Sequence, residues 1–427
     1  MEHERDRKKT ISWAFYDWAN SAFATTVMAG FFPVFFKQYW GPDANATLST
    51  FRLGAANSFA SLVIVALAPI LGAIADRGGS KKKFLLFFTS MGIVMTGALY
   101  FVSKGDWPLA VLLYVFGIIG FSGGNIFYDS LLINVSGRNK VDFVSALGFA
   151  FGYLGGGLLF ALNVAMTLNP GFFGLSGQSE AVRLSFILVA IWWAVFSVPL
   201  FLFVKEPAVR DRSRGWHAVA GGFRQFRATF AEVRRLRVVF LFLLGYWLYI
   251  DGVDTIVRMA VDYGLSLGFD ANALIVALLI TQFVGFPSAI AFGKIGEKFG
   301  PKTGIFIGIF VYIAVTIWAF FMTNVTEFYA LAVSIGLVQG GVQSLSRSFF
   351  TRIIPQNKSA EFFGFYNMLG KFAAVIGPIL MGWIGVVFGD PRVGILSIIV
   401  LFISGAVLLF FVNEEEGSRM ANALEEI

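Results

Sequence analysis

Apolar residues run through this chain in long blocks, separated by short polar and glycine-containing turns. A helix that crosses a bilayer needs roughly 20 apolar residues. On that measure the pattern predicts twelve spans. Spans 1 to 6 fall at about 11–36, 52–75, 83–103, 107–135, 143–168 and 182–204. Spans 7 to 12 fall at about 237–262, 271–293, 302–323, 327–350, 361–388 and 391–412. The expected organisation is a first half over 1–204, a polar linker over 205–236 and a second half over 237–427.

Two polar turns carry an internal repeat. Gly72, Asp76, Arg77, Gly79 and Lys81 map onto Gly293, Glu297, Lys298, Gly300 and Lys302 at a constant offset of 221 residues. The turns follow spans 2 and 8, so the chain reads as two related halves. Gly120 and Gly124 in span 4 match Gly336 and Gly340 in span 10 at an offset of 216. Gly148, Gly152 and Gly156 recur every fourth residue in span 5, a spacing that lets a neighbouring helix approach closely. Pro33, Pro69, Pro199, Pro287 and Pro378 fall inside spans, where neighbours can satisfy freed carbonyls.

Composition and charge sharpen the picture. The chain is 57% hydrophobic and 14% charged, which makes the bilayer its solvent. Of 33 Lys and Arg residues, 26 fall on the side of the two termini and 5 on the other. That bias places both termini and the linker in the cytoplasm, and it accounts for the net charge of +7 without nucleic acid. The polar first ten residues are followed by no small-residue cleavage site, so span 1 reads as a retained start-transfer helix. In the linker, Trp216, Val219, Phe223, Phe226, Phe230 and Val233 alternate with arginines at helical spacing. This is the pattern of an amphipathic helix lying on anionic inner-leaflet lipids, with a plain tether between the halves as the other reading. There is no cysteine, and the two histidines sit in charged segments, so no metal site and no cofactor is expected. No catalytic or nucleotide-binding motif stands out, and a non-enzyme is expected.

Ionisable groups inside a span are costly, so they mark cavities, partners or transport pathways. Span 1 carries Tyr16, Asp17 and Asn20; span 4 carries Asn125, Tyr128 and Asp129. Span 7 carries Tyr246, Tyr249, Asp251, Asp254 and Arg258. Span 10 ends in Gln339, Gln343 and Arg347, and span 11 holds Asn367 and Lys371. Repeat symmetry places Arg347 opposite Asp129, as partners in a gate between the halves. Asp254 and Arg258, four apart, share a helical face, and Asp251 lies seven from Arg258; pairing with Arg258 offsets the cost of one carboxylate and leaves the second as a candidate proton carrier, so Asp251 and Asp254 stand beside Asp17 in that role. A mid-span Lys371 needs an acidic partner, for which Asp17 is one candidate, or an anionic solute.

Both turns resemble the loop signature of the major facilitator superfamily. Tyr16–Phe23 (YDWANSAF), the stretch 338–366 and Gly370–Pro378 (GKFAAVIGP) resemble the branch that holds the fungal vacuolar amino-acid effluxers linked to autophagy and their bacterial relatives. The resemblance spans the chain. It implies an all-α integral membrane fold with twelve transmembrane helices in two six-helix bundles that rock about a central site. It implies that Asp76 contacts the start of span 11. Gly72, Asp76, Arg77, Asp129, Arg258, Gly293, Glu297, Lys298 and Arg347 are then the gating group. Tyr16, Asp17, Asn20, Asn125, Tyr128, Tyr246, Tyr249, Asp251, Gln339, Gln343, Asn367 and Lys371 are the substrate group. The expected activity is secondary transport of a small polar or zwitterionic solute such as a neutral amino acid, coupled to protons. Export of lipid-like amphiphiles is the alternative on the same fold, and a non-transporting sensor or scaffold a remote one. The expected setting is a bacterial inner membrane.

Overall fold

The computed structural model describes residues 2–41, 46–137, 140–206, 236–372 and 376–425. The linker expectation lies outside them. Helix α1 runs Glu2–Ala22 and continues through a π-helical stretch, Phe23–Phe31, towards Trp40. Then follow α2 (Ala46–Gly78), α3 (Lys81–Ala98), α4 (Trp107–Ser130), α5 (Val141–Leu168) and α6 (Gln178–Phe203). The second half has α7 (Arg237–Ser266), α8 (Ala271–Phe299), α9 (Pro301–Phe321) and α10 (Val325–Ile353). The eleventh span is described on either side of residues 373–375, as α11a (Ser359–Phe372) and α11b (Ile376–Phe388). The twelfth is α12a (Pro391–Leu396) and α12b (Ile398–Phe410), followed by a short α13 (Glu414–Glu425). Among the described residues ten helices are long and apolar enough to cross a membrane. The charged start of α1 keeps it from meeting the same measure, and the eleventh span is described only on either side of residues 373–375.

Buried apolar side chains form two clusters. One draws on residues 13–204, the other on residues 236–412. Among the described residues a single one crosses over: Ala360, at the start of α11a, is buried in the first cluster. The expected glycine stripe on α5 is where α1 lies. A Cβ on Gly152 would sit 2.6 Å from Ser21 Oγ, and one on Gly156 would sit 2.9 Å from Thr25 Oγ1. Only glycine lets the two backbones come this close.

Both termini lie on one face, here the terminal face. Thr10 Oγ1 donates to the Val135 carbonyl beyond α4, and Arg352 at the end of α10 pairs with Glu414 of α13. Each half closes this face in the same way. Lys82 Nζ donates to the Phe201 and Val204 carbonyls at the end of α6. Lys302 Nζ donates to the Phe410 and Val412 carbonyls at the end of α12b. The unsatisfied carbonyls and negative end of a helix favour a cation there. The structural counterpart of Lys302 is therefore Lys82, not the Lys81 that a constant offset selects. The first turn carries one more residue, Ser80, before its helix begins.

Lys81 has a different task. Its Nζ lies 2.8 Å from Asp76 Oδ1 and donates to Ser359 Oγ at 2.7 Å. Asp76 in turn accepts the backbone N–H groups of Ala360 (3.2 Å) and Glu361 (2.9 Å). The carboxylate thus caps the first turn of α11a in the opposite half, as the resemblance implies for Asp76. The second turn does not mirror this. Glu297 and Lys298 are exposed, and the start of α5 receives Arg352 instead, through Asp142. Gly293 still serves close packing, since a Cβ there would lie 2.6 Å from Ala146 Cβ. The Arg77 side chain lies outside the described residues.

Candidate functional site

A polar cavity of about 330 Å³ lies between the two halves. Its wall on the first half comes from α1 (Asp17, Asn20, Ser21, Thr25), α4 (Asn125, Tyr128, Asp129) and α5 (Phe149, Gly152, Tyr153). Its wall on the second half comes from α7 (Tyr246, Asp254), α8 (Gln282), α10 (Gln339, Gln343, Arg347) and α11a (Tyr366, Asn367). Both halves expose carboxylates and amides to the same space, which suits a solute that both donates and accepts hydrogen bonds.

Arg347 sits at the end of this cavity nearest the terminal face. Its Nη1 lies 3.0 Å from Asp129 Oδ1 and 3.5 Å from Asp17 Oδ2. Its Nε donates to Ser145 Oγ (2.9 Å) and its Nη2 to the Ser145 carbonyl (2.8 Å). The rings of Phe149 and Trp13 lie 4.4 and 5.0 Å from the guanidinium carbon. One side chain of α10 thereby binds α1, α4 and α5 of the other half. Each carboxylate also has a second partner. Tyr128 Oη donates to Asp17 Oδ2 at 2.7 Å, and Asn367 Nδ2 donates to Asp129 Oδ2 at 3.2 Å. Pairing and full hydrogen bonding are what make buried charges tolerable.

Beyond this cluster, Asn20 donates to Asn125 Oδ1 at 2.6 Å, and the Tyr246 and Tyr366 rings stack at 4.2 Å. These pairs give the cavity an amide corner and an aromatic side. Tyr153, Gln282, Tyr366, Ser21 and Thr25 were not anticipated as site residues. Tyr366 closes one of the stretches that carry the family resemblance; Ser21 and Thr25 follow Asn20 on α1.

Four expected site residues lie elsewhere. Tyr16 is buried, with its hydroxyl 2.7 Å from Thr89 Oγ1, and Tyr249 is buried with its hydroxyl 2.7 Å from Ser346 Oγ. Both tie helices together within one half. Asp251 is fully buried against α11b and lies outside the cavity lining, whereas Asp254 three residues on belongs to it. Arg258 is exposed rather than buried beside them. The Lys371 side chain lies outside the described residues, and Asp17 pairs with Arg347.

The matched family model is described as "Vacuole effluxer Atg22 like" and covers residues 47–134 and 136–422. The chain belongs to the Atg22-like vacuole effluxer family. Within reach of this Atg22-like chain is the MFS-type transporter YxiO of Bacillus subtilis, 38% identical over 99% of both chains. Autophagy-related protein 22 of Yarrowia lipolytica is 26% identical, covering 86% of this chain and 76% of its own. The human organic anion transporter MFSD10 superposes with a TM-score of 0.73 at 15% identity, over 95% of this chain and 99% of its own. The major facilitator transporter FucP in its outward conformation gives 0.69 at 13% identity, over 95% and 98%. The Atg22-like fold is thus the all-α major facilitator fold, and the protein is an integral membrane transporter of that superfamily.

Proposed function

We propose that the chain is a secondary transporter that moves a small polar or zwitterionic solute by alternating access. The observation that carries this reading is the double position of Arg347. The same guanidinium closes the cavity and ties the halves together. A solute ammonium that competes for Asp17 or Asp129 loosens the tie, so loading the cavity favours release of the terminal face. A zwitterion offers the ammonium for Asp17, Asp129 or Asp254 and a carboxylate for Arg347 and the amides. The family resemblance adds neutral amino acids as the solute class. The two apolar clusters support a division into 1–204, a linker at 205–236, and 237–427.

The lysine and arginine bias puts the terminal face in the cytoplasm, so the cavity described here is closed from that side. Similarity to a Bacillus protein supports a bacterial plasma membrane, with anionic lipids beneath the linker. Protons couple through Asp17 or Asp254. A transport rate flat from pH 5 to 8 and indifferent to an imposed proton gradient would remove the coupling.

Counterflow in proteoliposomes tests the reading. Vesicles loaded with unlabelled amino acids are offered one labelled amino acid at a time. Transient accumulation is expected, lost in Asp17→Asn and Arg347→Gln. No accumulation across the panel, with folded protein, overturns the amino-acid assignment. A second reading, export of amphiphiles, draws on an apolar cavity of about 80 Å³ inside the second half. That cavity shares Gln339 with the polar one, so a head group and a tail could lie side by side. Transport of a lysolipid and of no amino acid would select it.

A further inference from the structure

We propose that Tyr153 is a specificity residue of the polar cavity: a slot of two glycines in the second half holds its ring, and its hydroxyl accepts a hydrogen bond from an ammonium group of the solute beside Asp254. The inference deepens the transport reading and rests on it.

Tyr153 belongs to α5 of the first half, but its ring lies in the second. A Cβ on Gly285 of α8 would first meet three atoms of that ring, Cδ1, Cγ and Cε1, at 2.9, 3.0 and 3.1 Å. A Cβ on Gly340 of α10 would lie 2.6 Å from Cε2, on the opposite edge. The ring is wedged between α8 and α10, and only residues without a side chain leave room for it. One turn along α5 the fit is reversed. There Gln282 of α8 covers Gly157, where a Cβ would lie 3.1 Å from Gln282 Cβ. A knob from each half thus enters a hole in the other, and Tyr153 and Gln282 both border the polar cavity. Gly124, the match of Gly340 in the repeat, faces Tyr16 of its own half instead.

This seating leaves the hydroxyl to spare. Tyr16, Tyr114, Tyr128, Tyr249 and Tyr263 are buried tyrosines whose hydroxyls all have protein partners. The Tyr153 hydroxyl makes no hydrogen bond among the described residues. A buried tyrosine hydroxyl normally finds a partner, so one held at the wall of a polar cavity offers its bond to what enters. Asp254 of α7 borders the same cavity, and its charge acts on this hydroxyl. An ammonium group has three N–H donors, so it can serve the carboxylate and the hydroxyl oxygen together. Asp17 and Asp129 are both engaged with Arg347 at the other end.

Tyr312 of α9 is the rival partner. It is fully buried, its hydroxyl has no hydrogen bond among the described residues, and the Tyr153 hydroxyl acts on it. A bond between the two hydroxyls would make Tyr153 a structural tie. The two roles differ in whether the bond exists without solute.

The first measurement is thermal unfolding of the full chain in detergent without solute. Tyr153→Phe should melt with the parent, since it keeps the ring and removes a hydroxyl bonded to nothing in the protein. Gly285→Ala should melt lower in the parent and no lower in a Tyr153→Ala background, where the ring is gone and alanine favours the helix. The second measurement is counterflow with amino acids that carry a primary ammonium group. Tyr153→Phe should raise KM about tenfold with the maximal rate held within about twofold. The parent's preference for such an amino acid over its N-trimethyl analogue, read by competition, should fall by about the same factor, because the analogue has no N–H to give. A lowered melting temperature in Tyr153→Phe without solute assigns the hydroxyl to the protein, Tyr312 first, and overturns the proposal. So does an unchanged KM or an unchanged preference, and so does a Gly285→Ala cost that survives removal of the ring. Failure of the transport reading shows differently: the parent itself then accumulates no solute, and the proposal falls with it.

Discussion

Gly72 and Ala360 meet across the two halves with no room for a methyl group between them. A Cβ on Gly72 would lie 2.7 Å from the Ala360 carbonyl carbon and 2.8 Å from Glu361 Cα. Both are backbone atoms of a helix start that Asp76 already holds in place, so neither can step aside cheaply. Gly72→Val should therefore keep the terminal face from closing. The chain has no cysteine, so one introduced at Ser145, buried beneath Arg347, reports on closure directly. Maleimide should label Ser145→Cys about tenfold faster in the Gly72→Val background, since a population shift of that size needs only about 1.4 kcal/mol. Equal labelling in both backgrounds would show that the contact does not limit closure.

The Asp129–Arg347 pair should show strong coupling. Removing one member of a buried pair costs about 3–5 kcal/mol because the other is left uncompensated. Asp129→Asn, Arg347→Gln and their combination form a double-mutant cycle, read by thermal unfolding in detergent. The double variant should lose at least about 1 kcal/mol less than the sum of the singles. Strict additivity would mean that the 3.0 Å contact carries no shared energy.

Asn125 offers a cleaner probe of solute binding. Its side chain accepts from Asn20 in the cavity wall and takes no part in the Arg347 cluster. Asn125→Leu should raise KM for the transported solute about tenfold or more, by leaving Asn20 unpaired, while Ser145→Cys labelling stays at the parent rate. A change in labelling without a change in KM would move Asn125 from binding to gating.

Lys82→Gln and Lys302→Gln should each lower stability by about 0.5–1 kcal/mol, since each removes a cation from two helix-end carbonyls. The sites lie in opposite halves with no shared partner, so the double variant should be additive within about 0.5 kcal/mol. Thermal melts of the three variants check both the size and the additivity.

The twelve-span pattern was legible because apolar length is a direct requirement of the bilayer. Asp17, Asp129 and Arg347 were legible for a related reason: a charge within a span must find partners. The direction of Asp251 was not. A step of three residues along α7 says that Asp251 and Asp254 lie near each other on the helix, and not which one meets the cavity. Tyr153 and Gln282 were missed because neither carries a charge that forces the question. The π-helical stretch at Phe23–Phe31 had no signal, since it depends on how α1 is seated against α5.

The two halves agree where each is fastened to itself and differ where they are fastened to each other. Lys82 and Lys302 perform one task twice. Asp76 performs its task once, and on the other seam Arg352 and Asp142 stand in for Glu297. An object assembled this way has unequal seams. The one at α2 and α11a is a carboxylate on backbone amides, and the one at α5 and α10 is held by arginine side chains, Arg352 on Asp142 and Arg347 on Ser145. The seams answer to different perturbations, so the face need not part along both at once. A duplicated chain has in this way acquired two seams that can be loosened separately.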